Sequence, residues 1–466
     1  VSFDSILAQT RFGFGPSPLV QGPESAGAMI ATLKGADRGA EMFAIPHYHE
    51  NMAQLAQFAH LTKQSRALRR DGKETVEVDR QMRVLNRTMA ARRRKWIRQV
   101  LMRATWSEDA LRERLGLFWF DHFAARGKRR DYAWMGAPYV ETAIRPFISG
   151  LFEDLLISAV THPMMLHFLD QSVSLGPNSR LAKNQRVKGK KRGLNENLAR
   201  EILELHTLGV NGPYSQQDVR QLAELLTGLV GDNVKGTQFQ AGRAEPGAEA
   251  ILGVTYGGSR RDGLRDIEGA LRDLARHPST AKHLARKLAT HFVSDRPSDD
   301  LVTEIEWAYR ESGGDLSKMY LAILTHPDAW RVDVVNTRRP IEFVGAAFRA
   351  LAVPPESFIS WSAKQTRTII ETPMRLMGQD WLRPPGPQGW PEADDYWLTP
   401  QGVAARLQWA LAAPMHLVED LPDPRDLMQT ALGGRASERT VQAVNAAQNR
   451  QEGVALVLMA PQFQKR

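Results

Sequence analysis

The sequence predicts an all-α protein, a multi-helix globular fold interrupted by one short β-hairpin-like excursion and one proline- and tryptophan-rich loop. Three observations predict it. Apolar residues recur at helical rather than alternating spacing along most of the 466 residues. The punctuation between these runs is helix punctuation, with Ser, Asp or His-Pro between consecutive stretches. Residues suited to strands concentrate between 228 and 261, where Gly, Val and polar side chains take over.

Taken in order, amphipathic patterns run over 48–69 and 76–104. The next helix carries Phe118-Trp-Phe-Asp-His-Phe123 and is expected to open at Ser107, with Glu108 and Asp109 well placed in its first turn. Further helices are expected at 139–148, 151–160, 163–170 and 194–208, and Ser215 with Asp218 resembles a capping arrangement opening a helix to Thr227. Gln238-Phe-Gln240 and Ile251-Leu-Gly-Val-Thr-Tyr256 read as a short hairpin or an extended excursion, after which helices resume at 263–276, 279–292, 298–311 and 316–325. His162-Pro163, His277-Pro278 and His326-Pro327 stand between consecutive helices; each proline suits a first turn, and each histidine is read as a C-terminal cap of the helix before it. The cluster from Trp381 to Pro391, followed by Trp397, forms a stiff loop that reads equally as an aromatic-walled lid or as a clamp across two helices. Helices after Gln401 are expected to pack back through Leu407, Ala410, Leu411, Val454 and Leu456. One domain over 1–466 accommodates this, as do two packed lobes, 1–230 with the candidate site and 260–466, joined by the extended excursion 231–259.

Composition excludes several chemistries. A hydrophobic content of 42% supports a sizeable core. The absence of cysteine removes disulfides, thiolate zinc sites, iron–sulfur ligation and cysteine nucleophiles. There is no apolar run of about 18 residues, the length of a transmembrane helix. No phosphate loop, nucleotide-binding βαβ unit, kinase signature, Gly-x-Ser-x-Gly elbow or His-Glu-x-x-His motif occurs. Glu201 and Glu204 form Glu-x-x-Glu rather than the Glu-x-x-His of two-iron bundles. The net charge of +9 gathers in basic runs at 92–95, 128–130 and 183–192. No helix-turn-helix, stacking sheet or zinc module accompanies them, which disfavours nucleic acid; acidic partners, lipid headgroups or polyanionic glycans account for the charge as well. The chain opens at Val1 without methionine, so a removed leader or a cut upstream is expected, and zero cysteines suit periplasm and cytoplasm equally.

Chemistry is expected to centre on Asn195 to Gly209, which packs three carboxylates, two amides, an arginine and a histidine into one run. As a regular helix it places Asn197, Glu201 and Glu204 on one face, flanking an apolar stripe of Leu194, Leu198, Ile202, Leu205 and Leu208. His206 falls with Asn195 on the other flank, while Glu196, Arg200 and Thr207 point away. In the FWFDHF helix Leu115, Trp119, His122 and Arg126 share a face, so His122 stands inside an aromatic stripe. It can be a metal ligand, a general base or a core histidine bonded to a carbonyl. The site hypothesis sets His122 as base or ligand and Glu201 and Glu204 as ligands or acid, with Asn197 and Arg145 or Arg200 orienting substrate and Trp119, His206 and Trp390 against a cofactor. A divalent metal on His122, Glu201 and Glu204 is the cofactor expected, with haem open through His122, His167 or His206. In the alternative, from a different class, the chain is a non-catalytic accessory or scaffold protein, and the same residues form a buried network fixing helix register.

An ordered series of blocks resembles one large bacterial family, catalogued as domain of unknown function 1800. The blocks are FWFDHF at 118, IRPF at 144, THPMMLHFLD at 161, NENLAREILELHTLGV at 195, YSQQDVRQLAELLTG at 214, LARHPSTAKHLARKLATHFV at 274, RRPIEFVGAAFRALA at 338, MGQDWLRPPGPQGWP at 377 and the terminal LVLMAPQFQKR. The resemblance spans about Leu7 to Arg466 and implies a mostly helical, exported protein, periplasmic or secreted, whose gene often neighbours that of a second exported protein of another family; that protein is the partner it implies. The chain departs from the family at Ala244-Glu-Pro-Gly-Ala-Glu249, where relatives carry a histidine and a following lysine, at Phe120, where a second histidine is common, and at Gly386, where asparagine is usual.

Overall fold

The computed structural model describes residues 3–128, 132–187, 193–232, 235–258, 263–332 and 336–466; of the basic runs at 128–130 and 183–192, residues 129–130 and 188–192 lie outside it. The architecture is mainly helical. One continuous apolar core runs from Ala8 to Phe463 and draws on both halves of the sequence. The long helix Val76–Trp106 buries its second half, from Trp96, against Pro340–Ala350. Among the described residues no helix is long and apolar enough to cross a membrane.

The excursion contains two hairpins where one was expected. Leu229–Asp232 pairs antiparallel with Gly236–Phe239, and Ala248–Ile251 pairs with Val254–Gly257, as separate two-stranded sheets. Each is too small to stand alone. The first rests on Pro163–Phe168 and the second on Gln216–Leu225, which supplies Asp218 Oδ1 to Leu252 N at 2.7 Å.

Caps set most helix boundaries. Ser215 and Asp218 form the expected capping box. The FWFDHF helix spans Ala110–His122 and is capped by Asp109 rather than opened at Ser107, since Asp109 Oδ1 accepts from Arg112 N at 3.0 Å. The three His-Pro histidines work in both directions: His162 and His326 end the helix before, His326 through its backbone N–H on Ala322 O and Ile323 O at 3.1 and 3.3 Å, and all three side chains also cap the turn that follows. His162, His277 and His326 each accept a backbone N–H two residues on, at 3.1 Å, through Nδ1. The following proline forces these histidines into extended backbone, which is N-cap geometry, and the imidazole lone pair then does what an Asp oxygen does. Of the C-terminal residues expected inside, Ala410 and Val454 are buried, whereas Leu407 and Leu411 are exposed.

Two expected helices change pitch. The 139–148 stretch is a short α-turn, Gly136–Tyr139, then a π-turn Val140–Ile144 and a 3-10 turn Arg145–Phe147. The 194–208 stretch is α-helical only over Asn197–Glu201 and widens into a π-turn, Ile202–His206. Thr207 Oγ1 closes the wide turn on Ile202 O at 2.7 Å, and Thr207 is buried rather than pointing away. In a π-turn each residue advances less around the axis, so the regular wheel misplaces everything beyond Glu201.

Buried arginines knit distant segments by collecting carbonyls. Arg349 takes Ala104 O, Thr105 O and Ser107 O at 3.0–3.1 Å, the orphan acceptors at the end of the long helix, and Gly15 O at 2.8 Å. Arg11 binds Ala329 O and Arg331 O, tying the first helix to a segment more than 300 residues away.

Candidate active site

The residues expected to form one site separate into three places. Asn197 is exposed, and Arg200 bridges Glu196 at 3.4 Å, Glu204 at 3.2 Å and Gln216 Oε1 at 2.9 Å in a surface network. Arg145 lies elsewhere, buried between Asp37 (2.5 and 2.7 Å) and Glu113 (2.6 and 2.9 Å). Its guanidinium is engaged by these two carboxylates, apart from the NENLARE helix. His122 and His206 are in the core, where Trp119 meets His122 edge-on and donates its indole N–H to Tyr320 Oη at 2.7 Å. Among the described residues no three His, Asp or Glu side chains gather as a metal requires, so the grouping of His122 with Glu201 and Glu204 is not formed. The buried rings of His122 and His206 offer haem no open edge, and His167 lies flat on Tyr132 at 3.8 Å between centroids.

Glu201 keeps an unusual property. Half burial, then the Glu204 charge, pushes its carboxyl up to about 7. Because the folded value exceeds the ordinary 4.5, this group favours folding when protonated, and its contribution is lost as pH rises through 7. Glu201→Gln is therefore expected to gain Tm over the wild type on going from pH 5 to pH 8; a Tm difference that stays constant over that range refutes the assignment.

The π-turn explains the histidines. Its end leaves Leu205 O and His206 O without helical partners, and imidazoles of two other helices meet them: His283 Nε2 at 3.0 Å from Leu205 O and His122 Nε2 at 3.1 Å from His206 O. A carbonyl only accepts, so both Nε2 atoms carry the proton. The rings of His206 and His283 lie 5.9 and 6.2 Å from that of His122. Burial, and after it the nearby Lys287 ammonium, pushes all three down, His206 to about 3 and His283 to about 4, so the cluster is neutral at pH 7. Nδ1 of His122 and both ring nitrogens of His206 are buried without a partner in the described structure.

Beside this cluster runs a buried charge network assembled from five distant segments. Asp121 accepts from Arg339 Nη1 at 2.5 Å and from the backbone N–H of Trp390 at 3.0 Å. Arg339 Nη2 lies 2.8 Å from Glu392 Oε2, a charge contact whose angle falls short of a hydrogen bond. Glu392 faces His291 Nδ1 at 3.0 Å, and His291 Nε2 faces Arg114 Nη2 at 3.3 Å. Arginine only donates, so Nε2 accepts and Nδ1–H donates to Glu392, which leaves His291 neutral. Arg114 and Arg466 close the chain on Glu342 at 3.1 and 2.9 Å. Burial opposes ionisation of Glu342 and Glu392, but the arginines prevail and hold both well below the usual carboxylate range. Asp121 behaves oppositely: burial is its largest influence and the Glu392 charge adds to it, so one guanidinium serving two carboxylates leaves Asp121 pushed up to about 6.

Above the network opens a cavity of about 610 Å³. Its walls are the 208–212 turn, the polar face of Pro278–Phe292 carrying Lys282, His283, Arg286 and Lys287, and Glu392 from the Trp-Pro loop. Gly209 has φ +86°, and a Cβ there would lie 3.1 Å from His283 Nδ1, so both the turn and the close approach call for glycine. Lys287 is half-buried in this wall and among the described residues makes no hydrogen bond or ion pair. Burial lowers its ammonium below the ordinary value, against the pull of Glu392 and Asp121. Sequence reasoning singled out His122 but missed Asp121, Lys287, His291, Arg339, Glu342 and Glu392. One signal was visible: His283, Lys287 and His291 stand at i, i+4 and i+8, a polar line on an otherwise well-patterned helix.

Fold and site together define a mainly helical protein with a buried charge network beneath a basic, concave cavity. The chain belongs to the family described as "Protein of unknown function (DUF1800)", whose profile matches residues 8–465. No curated protein and no solved structure matches the chain.

Proposed function

We propose that the protein is an enzyme acting on a small anionic substrate in the cavity over Pro278–Phe292. Lys287 is the group that meets the reacting centre, as a base or as an amine nucleophile. Lys282 and Arg286 line the same wall and attract the substrate's anionic group. One observation carries this reading: nearly every charge beneath the cavity is paired, yet Lys287 is half-buried in its wall without a partner. An amine in that position spends more of its time unprotonated than an exposed lysine, which is the form able to take a proton or attack a carbonyl. Glu392, held ionised by Arg339 and His291, and Asp121, pushed up to about 6, place two carboxyl groups below it.

The test is reactivity. At pH 7 an amine-directed acylating reagent at limiting concentration is expected to modify Lys287 at least tenfold faster than the exposed Lys364, read by peptide mass spectrometry, with protection by small carboxylates or phosphates. Lys287→Met should keep the wild-type Tm and lose the fast site. If Lys287 reacts no faster than Lys364, the enzymatic reading fails.

The second reading is an exported accessory protein, and the internally paired network from Asp121 to Arg466 favours it, because such networks also fix helix register. Under that reading the Lys287→Met change is silent and a protein partner copurifies. Work outside the cytoplasm, which the family resemblance implies, belongs to both readings and is checked by cell fractionation.

A further inference from the structure

A second concavity, of about 580 Å³, lies away from Lys287, between the exposed half of the long helix Val76–Trp106 and the helical stretch that contains the π-turn Arg367–Glu371. The long helix turns one face to it, with Arg83, Arg87 and Arg94 at i, i+4 and i+11, and Arg93 beside them. Arg367 and Arg375 face them from the other side and Arg383 from the Trp-Pro loop, so seven arginines meet two carboxylates, Glu371 and Asp380.

Both carboxylates are already engaged. Glu371 binds Arg93 at 3.0 Å and Arg94 at 2.8 Å, and Asp380 binds Arg93 at 3.4 Å and Arg383 at 3.7 Å. Arg83, Arg87, Arg367 and Arg375 are exposed and among the described residues make no hydrogen bond or ion pair. Four guanidiniums brought to one concavity without counter-charge repel one another, and folding offers no reason to collect them. The wall adds a further donor: the indole N–H of Trp134, 5% exposed, has no acceptor among the described residues.

We infer that this groove binds a compact soluble ligand carrying two or more phosphoryl groups. Guanidinium forks match phosphate oxygens two at a time, and a phosphoryl group delivers the most negative charge in the least space, as four unpaired cations in one concavity require. The concavity suits a small molecule better than a flat membrane surface or a duplex. This site is independent of Lys287 and stands whether or not the enzymatic reading does.

Calorimetric titration of the full chain with tripolyphosphate and with pyrophosphate at about 150 mM salt tests it, since screening there suppresses loose surface attraction. Saturable one-site binding is expected, weakened about tenfold or more by Arg87→Gln and again by Arg375→Gln, and unchanged by Lys282→Gln in the other cavity. Both arginines are exposed and unpaired, so the variants should keep the wild-type Tm. Four results overturn the inference: no saturable heat up to millimolar tripolyphosphate; equal affinity for sulfate or citrate, which would mean unselective anion attraction; sensitivity to Lys282→Gln rather than to the arginines; or binding only to vesicles containing phosphatidate, which would place the phosphate on a lipid.

Discussion

Arg339→Met is expected to destabilise the protein by about 3–5 kcal/mol or to prevent folding, because it leaves a buried pair of carboxylates without their cation. Asp121 and Glu392 both face that one guanidinium, and the three residues come from a helix end, a helix start and the Trp-Pro loop. Asp121→Asn in the same chain should recover a large part of the loss. The amide still accepts the Trp390 N–H but carries no charge to repel Glu392. Urea midpoints of the two single variants and the double variant measure the coupling. If Arg339→Met costs less than about 1 kcal/mol, or Asp121→Asn returns nothing, the network is not the clamp the geometry implies.

Acid should unfold the protein from the same place. Glu342, between Arg114 and Arg466, is held down to about 2, and Glu392 is lowered by Arg339 and His291. A carboxylate whose folded value lies below its unfolded value stabilises the fold above about 4.5 and loses that contribution as pH falls through the folded value. Glu342 contributes on the order of 3 kcal/mol at neutral pH, and Glu392 acts in the same direction. Asp121 works the other way: raised to about 6, it favours the fold when protonated, so its own term improves as pH drops from 7 toward 4. Stability is therefore expected to be flat or slightly rising from pH 7 to pH 5 and to fall steeply below about 4.5. Glu342→Gln should lower the neutral plateau by about 3 kcal/mol, since Arg114 and Arg466 lose their partner, and should flatten the acid limb. Urea melts from pH 3 to 8 decide it. An acid limb as steep in Glu342→Gln as in the wild type would show that other carboxylates control acid unfolding.

The accessory reading and the enzymatic reading share this network and part at Lys287. A paired charge in the core serves either, whereas the unpaired Lys287 amine in a cavity wall is the group on which the proposed enzymatic reading rests. The separation of the expected residues is informative in the same way. Arg145 and Trp119 fit their places as structural residues, with every strong contact inside the protein. Trp390 contributes its backbone N–H to Asp121, so the loop read as lid or clamp acts here as a clamp on the helix end.

Helical periodicity, capping residues and the lack of cysteine are local properties, and the helical class, most helix positions and the Ser215 capping box were legible from them, while the family was legible from the ordered series of sequence blocks. The His-Pro caps were located correctly, and His162 and His326 do end the helix before, but their second role as side-chain caps of the turn that follows was missed, because the sequence shows the pair and not which backbone N–H the Nδ1 lone pair meets. The NENLARE wheel went wrong beyond Glu201, because a π-turn is a tertiary compromise that no propensity announces. What only the tertiary structure decided is which charge meets which. Asp121 and Arg339 stand 218 positions apart. Burying a charge requires a partner at contact distance, while the sequence records only that partners of both signs exist somewhere along it. The sequence by itself determined a helical scaffold rich in arginine; packing chose which arginines were neutralised, which were left at a groove, and that Lys287 would stand in a cavity wall without a partner.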